Sequence, residues 1–69
     1  MKKKIGQIIK ELRIEKGISQ MQLAKEIGCT QKAIDFWEKG INEPKASYII
    51  NLAKFFNVTC DFILGLEDN

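Results

Sequence analysis

Glycine or asparagine closes every apolar segment of this chain, which leaves room only for short helices. The closing residues are Gly17, Gly28, Gly40, Asn57 and Gly65. A helix commonly ends at a residue in the left-handed conformation, which glycine adopts without steric cost and asparagine tolerates. Between these stops the apolar residues recur three and four positions apart, and no stretch sustains the period of two that a strand requires. The sequence therefore predicts an all-α fold of five short helices.

Polar residues at the predicted helix starts support this interpretation. Ser19, Thr30 and Thr59 stand where N-cap residues are needed, and Gln22, three positions after Ser19, completes a capping box. Pro44 is expected to open the fourth helix, because proline suits the first helical position. We expect helices over residues 5–16, 20–27, 31–39, 45–56 and 60–64.

One apolar stripe on each helix supplies the expected core of a single domain spanning residues 1–69. In the first helix the stripe is formed by Ile5, Ile9, Leu12 and the stem of Lys16. Further inward positions in the other helices are Met21, Leu23, Ala24, Ile27, Ala33, Ile34, Trp37, Ile49, Leu52, Ala53, Phe56, Ile63 and Leu64. At 69 residues such a core is close to the smallest that suffices without disulfides or metals. Only residues 1–3 and 66–69 are expected to be loose.

Composition excludes several classes of protein. No apolar run approaches the roughly 18 residues that a transmembrane helix needs, and polar residues interrupt the basic start where a signal peptide would be apolar. We therefore expect a cytoplasmic protein.

Cys29 and Cys60 are isolated and histidine is absent, so no zinc site is expected. Both thiols are expected to be small buried hydrophobes. Without a histidine base, a serine motif or a phosphate loop, we expect neither an enzyme nor a cofactor.

The distribution of charge says more than the net charge of +2. Residues 1–16 carry six basic and two acidic residues, whereas the last nine residues carry only the acidic Asp61, Glu67 and Asp68. Such polarity suits a surface that approaches phosphates, and it equally suits a solvated helix face with a basic tail.

The stretch from Gln20 to Lys39 carries the functional signal. Two short helices are joined there by Gly28, Cys29 and Thr30, with the small Ala24 four residues before the glycine. A tight crossing of two helices needs a small residue at the contact, and the sharp turn needs a residue that tolerates positive φ. Ile34 and Trp37 would hold the second helix on the core and leave its opposite face free to enter a groove. The spacing predicts a helix-turn-helix.

This chain resembles the lambda-type repressor and Cro (XRE) family of helix-turn-helix DNA-binding domains over about residues 5–66. The matching residues are Ile5-Gly6, Leu12-Arg13, Lys16 to Gln20, Leu23-Ala24, Ile27-Gly28, Ile34, Trp37 to Gly40, Pro44, Leu52 to Lys54, Val58 and Leu64. The resemblance implies a compact five-helix domain whose helices 2 and 3 form the motif. It also implies that residues 31–39 lie in the major groove of double-stranded DNA while helix 2 crosses the backbone.

Carried over residue by residue, the resemblance makes Gln31, Lys32, Asp35 and Phe36 the base readers. Gln31 would pair with adenine and Lys32 with guanine, and Asp35 would accept from cytosine N4 unless it pairs with Lys32 or Lys39. Phe36, where the family commonly has a polar or basic residue, would meet a thymine methyl.

The resemblance also implies phosphate contacts and one ion pair. Phosphate contacts are expected from Arg13, Gln20, Lys39, Asn42 and Lys45. The alternative for Gln20 is a plain first-turn residue. We also expect Arg13 to form a partly buried ion pair with Glu38 that holds the recognition helix at a fixed angle.

Aromatic residues in the last two helices distinguish this chain from its family, which usually has small or polar residues there. Tyr48, Phe55 and Phe62, with Leu66, are expected to form the interface of a homodimer on a two-fold operator, or else to fill a larger core. The expected function is a sequence-specific transcriptional regulator, most simply a repressor, with no membrane or small-molecule partner. The alternatives are an antitoxin-type DNA-binding protein and an interaction module that retains only the fold.

Overall fold

The computed structural model describes residues 3–67, which form five helices and no strand. The helices are α1 (Ile5–Lys16), α2 (Gln20–Ile27), α3 (Gln31–Lys39), α4 (Ala46–Phe56) and α5 (Cys60–Ile63). The predicted all-α fold of five helices is confirmed. None of these helices has the length and apolar character needed to cross a membrane.

The predicted N-caps are confirmed by their hydrogen bonds. Ser19 Oγ accepts from Gln22 N at 3.1 Å while Gln22 Oε1 accepts from Ser19 N at 2.7 Å, the reciprocal capping box. Thr30 Oγ1 accepts from Ala33 N at 3.1 Å, so the N-terminus of α3 is fixed by a side chain from the turn. Thr59 caps α5 in the same way. These bonds satisfy backbone N–H groups that have no partner inside the helix.

Two predicted helix boundaries were wrong by one or two residues. Pro44 lies before α4 and does not open it, because Lys45 is still extended (ψ 162°) and serves as the N-cap. Pro44 instead fills a buried position in the preceding turn. At the other end, α5 stops at Ile63, and Leu64 is the residue that follows the helix.

Each helix places one fully buried aliphatic side chain at the centre of the core. These residues are Ile9, Leu23, Ile34, Leu52 and Ile63. Trp37, Ala24, Ile27, Ile49 and Ala53 complete the buried cluster. Because every helix contributes to the same cluster, none can bury its apolar stripe without the others, and burial of that surface is the main favourable term in folding.

Several positions are not buried although they were expected to be, from periodicity or, for the two cysteines, from their isolation in the sequence. Lys16, Met21 and Leu64 are exposed, and Phe56, Cys29 and Cys60 are only half-buried. They lie at the ends of their helices or in the turns, where the apolar stripe leaves the core. Conversely, Ile8 is buried although it was not expected to be.

Gly6 explains how closely α1 approaches α3. It is buried, and a Cβ atom on it would lie 1.8 Å from the carbonyl oxygen of Trp37. Only a residue without a side chain permits this approach, which sets the distance between α1 and the recognition helix.

The ends of the described chain are held by contacts. Lys3 Nζ lies 2.8 Å from a carboxylate oxygen of Glu11, and Leu66 N donates to Asp61 O at 2.9 Å. Thr59 Oγ1 donates to Glu67 Oε2 at 2.9 Å. Residues 3, 66 and 67, which were expected to be loose, thus make contacts in this structure. Residues 1, 2, 68 and 69, with the charges of Lys2 and Asp68, lie outside the described residues.

Candidate nucleic-acid interface

The turn between α2 and α3 has the geometry expected of a helix-turn-helix. Gly28 is left-handed (φ 80°, ψ 36°), and its N–H and that of Cys29 both donate to Ala24 O, at 2.9 and 3.0 Å. Ala24 is 3% exposed, so its methyl group lies within the packed interior. The predicted roles of Ala24 and Gly28 are confirmed.

The recognition helix α3 is divided into a buried and an open face. Ile34 and Trp37 are buried, while Gln31 and Lys32 are exposed at its first turn. Asp35 and Phe36 lie one turn further and are half-buried. Lys32 Nζ lies 5.6 Å from the centre of the Phe36 ring, within the range of a cation–π contact. The four predicted base readers thus occupy the first two turns of one helix.

Asp35 already has partners within the chain. Lys39 Nζ lies 2.9 Å from Asp35 Oδ2, and Gln20 Nε2 donates to Asp35 Oδ1 at 3.3 Å. The hydrogen bond from Lys39, and secondly that from Gln20, hold the pKa of the Asp35 carboxyl below its ordinary value, because both favour the charged form. Of the two pairings considered for Asp35, the one with Lys39 is present.

The expected ion pair between Arg13 and Glu38 is confirmed. Arg13 Nε donates to Glu38 Oε2 at 2.7 Å and Nη2 donates to Glu38 Oε1 at 3.0 Å, a bidentate arrangement. Their side chains are 13% and 3% exposed. The hydrogen bond to Glu38 raises the pKa of Arg13. Because Arg13 Nη1 also donates to Ile18 O at 3.0 Å, the pair joins α1 and the α1–α2 turn to the recognition helix.

The residues predicted to contact phosphate differ in their exposure to solvent. Lys39, Asn42 and Lys45 are exposed around the end of α3 and the loop that follows. Arg13 and Gln20 are half-buried. The amide of Gln20, besides its bond to Asp35, donates to Glu38 Oε1 at 3.0 Å, a contact that sequence reasoning missed. No periodicity relates residues on different helices, so only the fold shows this contact.

Comparison with known proteins places this arrangement in a family. A profile of the family described as Helix-turn-helix matches residues 9–63. The chain belongs to the helix-turn-helix family. Within this family its fold is of the lambda-repressor type: the P22 c2 repressor, solved in complex with a synthetic operator, superposes with a TM-score of 0.88 at 28% identity, over 94% of this chain and 98% of that one.

Curated relatives in the helix-turn-helix family are transcriptional regulators. The transcriptional activator BcrR of Enterococcus faecalis is 35% identical over 60 residues, covering 87% of this chain and 29% of BcrR. The regulator YqaE of Bacillus subtilis is 31% identical over 61 residues, covering 88% of this chain and 53% of YqaE. This chain therefore spans about half or less of the length of these relatives.

The four residues expected at a dimer interface differ in exposure on this helix-turn-helix domain. Tyr48 is half-buried against Trp37, with ring centres 5.4 Å apart. Phe55 meets Phe56 edge to face at 5.0 Å. Phe62 is half-buried, whereas Leu66 is 60% exposed. The alternative that some rings enlarge the core therefore holds for Tyr48 and Phe55, both of which pack against the buried cluster.

Proposed function

We propose that this chain is a sequence-specific double-stranded-DNA-binding transcriptional regulator, acting most simply as a repressor. The observation that carries the proposal is the open first half of α3, which presents Gln31 and Lys32 on a helix held by the partly buried Arg13–Glu38 pair. The similarity to the P22 c2 repressor, solved on an operator, supports placing this helix in the major groove. On this proposal the protein acts by binding in the cytoplasm, without chemistry of its own.

Gln31 and Lys32 are proposed to read the first bases. Both side chains are exposed at the N-terminal turn, the part of a recognition helix that meets base edges. The amide of Gln31 matches adenine N6 and N7, and the ammonium of Lys32 matches guanine O6 and N7. One turn later, Asp35 is proposed to accept from cytosine N4 and the Phe36 ring to meet a thymine methyl.

Phosphates are proposed to bind on both sides of the recognition helix. Lys39, Asn42 and Lys45 are exposed after α3, and the N-terminus of α2 at Gln20 offers free first-turn N–H groups and the positive end of the helix dipole. The side-chain donors of Arg13 are directed to Glu38 and Ile18, so its proposed phosphate contact uses the remaining N–H groups of the guanidinium.

A homodimer on a two-fold operator completes the proposal. Domains that dock in this way bind half-sites about 34–36 Å apart, which requires two copies related by a two-fold axis. We propose that the α4–α5 end supplies the contact, with Phe62 and Leu66 nearer the axis and Tyr48 and Phe55 supporting them from the core. The exposed apolar side chains of Leu64 and Leu66, which follow α5, support this choice.

Selection of bound sequences from a random DNA pool tests the proposal directly. The expected result is a consensus of two inverted half-sites, together with an affinity that falls steeply as salt rises. Random duplex of the same length is the control. A chain that recovers no consensus and binds all duplexes equally would contradict sequence-specific regulation.

A further inference from the structure

A chain of hydrogen-bonded polar side chains links α1, α2 and α3 beside the open face of α3. Gln20, the first residue of α2, directs its amide nitrogen at two carboxylates of α3, Asp35 at 3.3 Å and Glu38 at 3.0 Å. The amide nitrogen of glutamine carries two N–H groups and can donate to two carboxylates, whereas the amide oxygen can only accept. Both side-chain donors of Gln20 are thereby used inside the protein.

The two carboxylates that Gln20 contacts have different surroundings. Glu38 is 3% exposed and is held on both oxygens by Arg13, so its position is set by α1. The Asp35 side chain is 32% exposed, and its second oxygen is held by the more exposed Lys39. Gln20 therefore joins a carboxylate fixed in the interior to a carboxylate on the open face.

We infer that Gln20 is a positioning residue, which fixes Asp35 as a rigid anionic acceptor that rejects guanine and thymine at one position of each half-site. This inference rests on the proposed function, because α3 must lie in the major groove for Asp35 to meet a base. The bases accepted at that position are cytosine and adenine, which present the N4 and N6 amino groups there.

The rejection follows from the donor and acceptor pattern of the major groove. Guanine presents the acceptors N7 and O6, and thymine presents the acceptor O4 beside its methyl group, whereas an ionised carboxylate can only accept. A free aspartate would turn away from such a base at the cost of one rotamer change. Asp35, by contrast, is held on one oxygen by Gln20 and on the other by Lys39, so its charged carboxylate is kept in place. Specificity of this kind comes from repulsion of the wrong bases as well as from attraction to the correct ones.

This role differs from a side-chain phosphate contact in what it predicts. A residue that binds phosphate strengthens binding to every sequence alike, whereas one that fixes Asp35 changes the preference at a single base position. Phosphate binding at the same helix end can still use the backbone N–H groups of Gln20 and Met21, which lie at the first turn of α2. The two roles are therefore separable by experiment.

The test is selection from a random DNA pool with the wild-type chain, Asp35→Asn, Gln20→Ala and Gln20→Lys. We expect the wild type to require cytosine or adenine at one position of each half-site. Asp35→Asn, which gains a donor and loses the charge, should admit guanine there, with discrimination falling on the order of tenfold. Gln20→Ala should relax the same position although Asp35 is intact, and Gln20→Lys, which keeps a donor for both carboxylates, should restore the preference.

Matched controls remove an amide or a carboxylate charge away from the proposed DNA and dimer contacts. Gln7 and Glu15 are exposed on α1, and Gln7→Ala and Glu15→Gln should both leave the consensus unchanged. Thermal melting of each variant shows whether it is folded. If Gln20→Ala is unfolded, Gln20→Met, which keeps the length of the side chain but has no N–H donor, tests the same loss of contact with Asp35.

Two results would overturn the inference while leaving the proposed function intact. One is an Asp35→Asn variant with the wild-type consensus, which would mean that Asp35 does not face a base. The other is a Gln20→Ala variant that is weaker on all sequences by one factor with preference unchanged, which would make Gln20 a phosphate contact. A wild type that recovers no consensus would instead overturn the proposed function itself.

Discussion

The proposed reading of bases is tested most directly at two side chains at the start of α3. Gln31 and Lys32 are exposed. Replacing either by alanine is expected to cost roughly 1–3 kcal/mol of binding free energy on the selected site and to relax preference at one or two base pairs. Titration of wild-type and variant chains on matched and mismatched sites measures both effects. If Gln31→Ala keeps affinity and preference, the docking proposed for α3 is wrong.

Lys45 offers the contrasting case of a residue proposed to contact only phosphate. It is exposed, and its side chain makes no capping bond to α4. Lys45→Ala is expected to weaken all sequences equally and to reduce the slope of log affinity against log salt by about 1. The salt dependence measured on selected and random duplexes gives this value. A change confined to the selected site would assign Lys45 to base reading.

The partly buried pair of Arg13 and Glu38 leads to a prediction about the stability of the fold. Glu38→Gln leaves Arg13 without its counter-charge, and breaking a fully buried pair costs about 3–5 kcal/mol of unfolding free energy. Because Arg13 is 13% exposed, we expect about 3 kcal/mol. A combined Arg13→Met and Glu38→Leu variant should be more stable than Glu38→Gln, since no charge is left unpaired. Urea denaturation compares them, and equal stability of Glu38→Gln and wild type would contradict the proposed role.

At the scale of the helices, the contact between α1 and α3 depends on one glycine. Gly6→Ala would bring a methyl carbon to 1.8 Å from Trp37 O, so the two helices must separate. Overpacking of this kind costs about 1–3 kcal/mol, and we expect the upper end because the obstacle is backbone. Gly17→Ala is the control: its φ is +75° with open space around it, so it should cost only the strain of the left-handed conformation, about 1–2 kcal/mol. Equal melting temperatures for Gly6→Ala and wild type would show that α1 and α3 do not meet this closely.

At the scale of the whole molecule, the proposed dimer is tested by sedimentation. Leu66 is 60% exposed, so Leu66→Glu should leave the fold intact while placing a charge at the proposed axis. The wild type is expected to dimerise at high concentration, and Phe62→Glu and Leu66→Glu should both weaken this. Ile14→Glu, on a residue of similar exposure on α1, should have no effect. A monomeric wild type, or variants that dimerise equally well, would contradict the proposal.

Local sequence rules determined the helices and their ends. Ser19, Thr30 and Thr59 cap the helices that follow them, and the left-handed conformation of Gly28 and Asn57 was foreseen. These features depend on residues within one turn of each other, so the pattern of side chains is enough to predict them. The helix-turn-helix was predictable for the same reason, since it was inferred from Ala24 and Gly28 at the right spacing together with the Thr30 cap and the Trp37 to Gly40 ending.

Apart from the Arg13–Glu38 pair, which the family resemblance implied, only the tertiary structure decided which side chains meet across helices. The contacts of Gln20 with Asp35 and Glu38, the approach of Gly6 to Trp37 and the packing of Tyr48 on Trp37 join residues far apart in the chain. Periodicity says which face of a helix is apolar, but not the angle or distance at which two helices cross. Those quantities follow from the packing of all five helices around one core, and they determine how the reading surface is held.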